Sequence, residues 1–171
     1  MPTDVYAGLG SNIDPARHLN DAIGKLHRRY GQVDLSPIYR NPAVGFAGDD
    51  FLNLVIRFRT ECSVEELEQW FSTMEHAAGR RQTGAEGARE SGPRTLDLDL
   101  LLYGSMIDPG ARLPRCDILR YAFVLRPLAE LAPDLVHPLT GRNMASHWGD
   151  VEAHGPPLIF CAFPEAGLRG E

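Results

Sequence analysis

The run Thr95-Leu96-Asp97-Leu98-Asp99-Leu100-Leu101-Leu102-Tyr103 constrains the fold more than any other part of this 171-residue chain. On a strand, residues two apart share a face. Asp97 and Asp99 therefore point one way, while Leu96, Leu98 and Leu100 point the other way, into a core. Two carboxylates on one face at the start of a buried strand repel each other and lose hydration. A divalent cation removes both penalties, and hard oxygen ligands favour Mg²⁺ over zinc or copper. The competing reading is ordinary charge at a solvent-facing edge. The flanking Gly92-Pro93-Arg94-Thr95 favours the metal, because it sets a rigid turn and a guanidinium beside the two acids.

The other segments supply partners for that strand. Val5 to Leu9 reads as a short strand, followed by a turn at Gly10-Ser11-Asn12. Asp14-Pro15 then opens a helix, with Asp14 expected as its cap and Pro15 at the first helical position. Leu19, Ala22, Ile23 and Leu26 share one face of it. Gln32 to Tyr39 and Leu52 to Phe58 read as strands joined by a loop rich in turn formers, Asn41 to Gly48. Ser63-Val64-Glu65-Glu66 is a capping box before a helix bearing Leu67, Trp70, Phe71 and Met74. The polar stretch 79–92 reads as a long mobile loop in which Gly79, Gly84 and Gly87 permit motion. Beyond the acidic strand come a proline-interrupted helix from Tyr121 to Ala132, an extended piece at Val136-His137-Pro138 and one or two helical turns from Asn143 to Trp148. Leu158 to Phe163 reads as a late strand, either in the core or at an apolar dimer edge.

The order β-α-β-β-α-β with C-terminal additions predicts an α+β fold of ferredoxin-like type, a mostly antiparallel sheet with helices packed on it. Strands two and three are joined by too few residues for a helical crossover, which disfavours a doubly wound parallel sheet. The length suits a single domain over residues 1–171. No apolar run is long enough to span a bilayer and no basic-then-apolar leader opens the chain, so the cytoplasm is the expected compartment. Cys62, Cys116 and Cys161 are too sparse for a disulfide framework or a zinc pattern.

Charge narrows the chemistry. The net charge of −6 disfavours nucleic acid as a partner. Lys25 is the single lysine among 17 basic residues, so an anionic substrate must be held by arginines or backbone N–H groups. Arg80 and Arg81 open the long loop, Arg89 lies within it and Arg94 closes it; Arg112, Arg115 and Arg120 follow the acidic strand. Phosphoryl-type transfer needs charge neutralisation and in-line positioning, which Mg²⁺ and arginines supply. There is no Gly-x-x-x-x-Gly-Lys loop, the dinucleotide fingerprint at Gly8 and Gly10 fails at Ile13, and no Gly-x-Ser-x-Gly elbow occurs.

The stretch Gly92 to Gly104 resembles the signature of the 6-hydroxymethyl-7,8-dihydropterin pyrophosphokinases. The resemblance extends from Gly8-Leu9-Gly10-Ser11-Asn12 through Ser36 to Pro42, Asp50-Phe51-Leu52-Asn53 and Glu75 with Gly79-Arg80, as far as Leu125 to Pro133. It implies transfer of pyrophosphate from ATP to the hydroxymethyl group of the dihydropterin, releasing AMP. It further implies two Mg²⁺ ions held by Asp97 and Asp99, phosphate contacts from Arg80 and Arg94, and Asp97 near the substrate hydroxyl. Glu75 falls on the nucleotide side with Arg112, Arg115 and Arg120. Pro42, Val44, Phe51, Asn53 and Phe123 form the pterin slot. The expected partners are ATP and a pterin, in a monomer or weak homodimer with no membrane attachment. Several positions depart from the family pattern: Glu90-Ser91 stands where Arg-Trp is usual, Arg115 and Cys116 replace His and an aromatic or proline, and Tyr121 replaces an arginine. These departures leave open a pterin-binding relative without catalysis, or a transferase using another nucleotide or pteridine.

Overall fold

The computed structural model describes residues 1–79 and 94–152 and the backbone of a strand at 159–161. Arg80, Arg81, Arg89, Glu90-Ser91 and the side chains of Leu158 to Phe163 lie outside the described residues, as does most of the expected 79–92 loop. The elements are β1 (Thr3–Ser11), α1 (Pro15–Tyr30), β2 (Val33–Leu35), β3 (Ile38–Asn41), β4 (Phe51–Thr60), α2 (Val64–Ala77) and β5 (Asp97–Tyr103). They continue with α3 (Asp117–Arg120), α4 (Ala122–Leu131), α5 (Met144–Glu152) and β6 (Ile159–Cys161).

All pairings are antiparallel, in the order β5-β1-β4-β3-β6, with β2 also on β4. With β2 and β3 taken together as one strand, this is the ferredoxin-like βαββαβ arrangement expected from the sequence. The expected strand from Gln32 to Tyr39 is cut in two at Ser36-Pro37. Pro37 has no N–H to give to a ladder. Ser36 replaces the lost bonding: its N–H donates to the Val55 carbonyl at 2.9 Å and its Oγ accepts from the Val55 N–H at 2.8 Å.

Both sheet faces are covered. Val5, Ala7 and Leu9 of β1, Leu54, Ile56 and Phe58 of β4, and Leu96, Leu98 and Leu100 beside them meet Leu19, Ile23 and Leu26 of α1 and Leu67, Phe71 and Met74 of α2. Full burial of such side chains stabilises by about 1.5–3 kcal/mol each. On the opposite face Tyr6, Val55, Leu101 and Leu102 pack against Ile118 of α3, Leu125 and Leu128 of α4 and Met144 of α5. Leu101 and Leu102 share that face because the pairing of β1 with β5 shifts register between Tyr6 and Ala7. Among the described residues no helix is long and apolar enough to cross a membrane.

The helix starts differ in chemistry. α2 carries the predicted capping box: Glu66 N–H donates to Ser63 Oγ at 3.2 Å and Ser63 N–H to Glu66 Oε2 at 2.7 Å. Asp14 does not cap α1. It is left-handed, at φ 43° and ψ 55°, and its side chain makes no cap bond. A side-chain cap needs an extended backbone at that position. Pro15 does open the helix as expected.

Candidate active site

The face carrying Asp97 and Asp99 is built by strand register. Gly10 lies opposite both Asp97 and Asn53, and Gly8 lies opposite both Asp99 and Val55. One cross-sheet row therefore reads Asp97, Gly10, Asn53, Tyr39, and the next reads Asp99, Gly8, Val55. The glycines remove side chains from the middle of both rows and leave a floor. A Cβ on Gly10 would lie 2.6 Å from Asn53 Oδ1.

Over this floor opens a cavity of about 220 Å³ lined by Asn41, Val44, Phe46, Phe51, Asn53, Arg94, Asp97, Asp99, Asp117, Tyr121 and Phe123. Phe46 and Phe51 meet edge to face at 6.2 Å, and Tyr121 stacks on Phe123 at 5.1 Å. Asn53 Nδ2 donates to Asn41 Oδ1, which fixes the amide orientation. Tyr39, farther along the row, donates its hydroxyl to both oxygens of Glu130 at 2.7 and 2.8 Å. Burial, then the hydrogen bond to Glu130, pushes its pKa up to about 12. The result is a flat slot with aromatic walls and one oriented amide, a shape suited to a planar heterocycle.

A second cavity, of about 370 Å³, opens toward α2. Glu68, Ser72, Glu75, Arg112 and Arg115 line it, together with Asp97, Leu98, Asp99 and Leu100. Arg112 reaches it from a tight loop closed by reciprocal backbone bonds between Asp108 and Leu113, both at 2.9 Å, and sits at φ 56°. This cavity is polar and arginine-bearing.

The two aspartates line both cavities. Arg94 Nη1 donates to Asp97 Oδ1 at 2.8 Å, and Arg115 Nη2 lies 3.1 Å from Asp99 Oδ1. Both carboxylates keep about a quarter of their surface open, 24% for Asp97 and 22% for Asp99. Glu75 is buried, and its Oε1 accepts the N–H of Leu98, the residue between them, at 2.8 Å. The backbone between the aspartates is thereby pinned to α2.

Of the residues expected in the site, Arg94, Asp97, Asp99, Val44, Phe51, Asn53 and Phe123 line the first cavity, and Glu75, Arg112 and Arg115 line the second. Pro42 lines neither; its carbonyl accepts from Asn41 Nδ2 at 3.1 Å. Arg120 also lines neither, and its guanidinium lies 5.3 Å over the Tyr121 ring. Arg80 is outside the described residues. Several contributors were missed from sequence, among them Asn41, which lines the slot and holds the Asn53 amide. Phe46 adds an aromatic edge. Asp117 brings a third carboxylate from α3. Asn12 is buried and holds the backbone of Arg94. Asn12 and Asn41 carried a signal, through their places in the Gly8 to Asn12 and Ser36 to Pro42 motifs.

The model of a family described as 7,8-dihydro-6-hydroxymethylpterin-pyrophosphokinase (HPPK) matches residues 6–133. A 2-amino-4-hydroxy-6-hydroxymethyldihydropteridine pyrophosphokinase of Synechocystis is 39% identical over 142 residues, covering 80% of this chain and 70% of that protein. One of Pseudomonas aeruginosa is 36% identical over 171 residues, covering 96% and 94%. Among solved structures, wild-type Plasmodium falciparum HPPK-DHPS matches with a TM-score of 0.62 at 9% identity, over 88% of this chain. This chain spans 41% of the length of that solved chain, and the likeness concerns fold. The chain belongs to the 7,8-dihydro-6-hydroxymethylpterin-pyrophosphokinase family.

Proposed function

We propose that this chain transfers pyrophosphate from ATP to the hydroxymethyl group of 6-hydroxymethyl-7,8-dihydropterin, releasing AMP, as a step of folate biosynthesis. The observation that carries the reading is the position of Asp97 and Asp99 where an aromatic slot with an oriented amide meets a polar cavity bearing arginines.

The slot receives the pterin. Phe51 and Phe123 supply apolar faces for a planar ring. The Asn53 amide, held by Asn41, presents hydrogen-bonding groups to the ring edge. Val44 and Pro42 belong to the loop at its mouth. The polar cavity receives the nucleotide, with Glu75, Arg112 and Arg115 on that side; Arg120 is assigned there by the family resemblance alone. Arg94 neutralises phosphate charge beside Asp97, and Arg80 is assigned the same role by the family resemblance. The family resemblance also sets Asp97 near the substrate hydroxyl.

The donor set suits magnesium. Two carboxylates on one strand face offer hard oxygen atoms with room for further ligands, and Mg²⁺ is commonly bound by one or two carboxylates plus substrate phosphates. Among the described residues no group of three acidic, His or Cys side chains is placed to hold a metal ion. Asp97 and Asp99 would hold two ions. Bound magnesium supplies neutralisation of the triphosphate and acidification of the attacking hydroxyl. The chain's own contribution is to align the two substrates at the aspartates and to shield the charge that builds on the transferred group. We place this activity in a single cytoplasmic domain over residues 1–171, acting as a monomer or weak homodimer on small molecules only.

The test is direct. Protein, Mg-ATP and 6-hydroxymethyl-7,8-dihydropterin are mixed and AMP is measured by chromatography. AMP that depends on the pterin supports the reading, and its absence beside an active control enzyme removes it.

A further inference from the structure

Arg115 engages two carboxylates at once. Its Nη2 lies 3.1 Å from Asp99 Oδ1, and its Nε lies 3.2 Å from Asp117 Oδ2. The side chain is only 10% exposed. Its backbone N–H donates to the Leu101 carbonyl at 3.0 Å, so it is tied to the same strand that carries Asp99. Asp117, in turn, starts α3. The guanidinium therefore bridges β5 and α3, with Arg115 lining the polar cavity and Asp117 lining the aromatic slot.

We propose that Arg115 is a positioning residue that holds Asp99 against Asp117 and competes with a free divalent cation for Asp99. A cation is then admitted at Asp99 only together with a polyphosphate. The inference rests on the reading of Asp99 as a metal-binding carboxylate. A buried guanidinium leaves its carboxylates at high cost unless another anion takes their place. A lone cation at Asp99 must share the carboxylate with Arg115, which already draws on Oδ1, and sets a second positive charge against it. A polyphosphate reverses both effects. Its oxygens accept the guanidinium's forked donors, and its charge offsets both cations. Metal and polyphosphate thus bind with positive coupling, and the coupling is reciprocal.

The experiment measures Mn²⁺ binding by electron paramagnetic resonance on the full chain, without nucleotide and then with inorganic tripolyphosphate, counting as protein-bound only the Mn²⁺ retained with the protein on rapid gel filtration, since tripolyphosphate itself chelates Mn²⁺. It is run in salt of about 0.5 M, where solvent-exposed charges more than about 5 Å apart are largely screened while the mostly buried contacts of Arg115 persist. Arg115→Gln is expected to bind Mn²⁺ alone roughly tenfold more tightly than the wild type, and to gain less from tripolyphosphate. Arg115→Lys keeps the charge but lacks the fork, and is expected to fall between the two. Asp117→Asn frees Nε and strengthens the hold on Asp99, so Mn²⁺ alone binds more weakly. A merely structural role for Arg115 would move Arg115→Gln and Asp117→Asn in the same direction. Should Arg115→Gln fail to fold, as judged by thermal unfolding, Arg115→Lys decides. Mn²⁺ affinity within about twofold of wild type in every folded Arg115 variant, or a fall in it, overturns the proposal. Asp99→Asn separates the two readings. If it leaves Mn²⁺ binding with tripolyphosphate intact, the metal reading and this inference both fall. If it abolishes that binding while the Arg115 variants change nothing, only the present inference falls.

Discussion

Asn12 and Arg94 hold each other in both directions: the Asn12 N–H donates to the Arg94 carbonyl at 3.1 Å, and the Arg94 N–H donates to Asn12 Oδ1 at 2.7 Å. The same Asn12 amide donates to the Asp49 carbonyl at 3.2 Å. One buried side chain thus fixes the start of the acidic strand relative to the loop before β4. Asn12→Ala leaves those groups without that partner, at an expected cost of about 1–3 kcal/mol in urea unfolding. It also loosens Arg94, so kcat is expected to fall alongside stability. Unchanged kcat with lowered stability would limit Asn12 to a folding role.

Asp97→Asn and Asp99→Asn keep the shape of each side chain and remove its charge. Each is expected to lower AMP formation by about three orders of magnitude or more, the scale of losing a main electrostatic contributor. Thermal midpoints are expected to fall as well, since each variant takes an anionic partner from a largely buried guanidinium, Arg94 or Arg115, so the rate is compared at a temperature where both variants are folded. A variant retaining more than about a tenth of the wild-type rate contradicts the assignment.

Gly10 tests the slot floor. In Gly10→Ala the new methyl meets Asn53 Oδ1 at 2.6 Å and must displace it. The KM for the pterin is expected to rise by about tenfold, with the KM for ATP little changed, and stability to fall by about 1–3 kcal/mol. Gly8→Ala adds a methyl to the same floor without meeting Asn53, its nearest neighbour being Leu101 at 3.8 Å, and so separates lost slot volume from displacement of the amide. Equal effects on both substrates would dissociate Asn53 from pterin binding.

Two regions give opposite pH dependence. Burial lowers the pKa of His137 below its ordinary 6.5, and the His147 charge adds to the effect; His147 is lowered by burial and then by Arg142. Below pH 6.5 the unfolded chain binds protons that the fold resists, so stability is full above 6.5 and falls as the pH drops toward the lowered values. His147→Gln is expected to flatten that acid limb. Tyr39 behaves in the reverse sense. Its pKa near 12 in the fold exceeds the ordinary 10, so its contribution is full below pH 10 and is lost as the pH rises toward 12. Tyr39→Phe is expected to remove that alkaline slope. Denaturant midpoints measured across pH check both.

The acidic strand was legible because a period of two leaves no ambiguity about which residues share a face, and Asp97 and Asp99 do line the same cavities. The order of elements was legible from apolar periodicity, and the Ser63 capping box from purely local chemistry. The split at Ser36-Pro37 was signalled by the proline but not by the compensation at Val55, which lies on another strand. Asp14 has the residue type of a cap, yet its backbone conformation decides the matter. Asp117 and Phe46 enter the site only through tertiary packing of a four-residue helix and a loop, so no local pattern marks them.

Among the described residues β5 is the last strand on its side of the sheet and pairs only with β1. An interior strand separates what lies above a sheet from what lies below it. At a rim that separation ends, and a side chain there can be approached from either side. Leu98 and Leu100 line the cavity toward α2, while Asn53 and Val55 line the cavity on the reverse surface, and Asp97 and Asp99 are common to both. Two dissimilar molecules can therefore rest on opposite surfaces of one sheet and still touch around its margin. Had this strand been buried between neighbours, the same residues would have served two chambers with no passage between them.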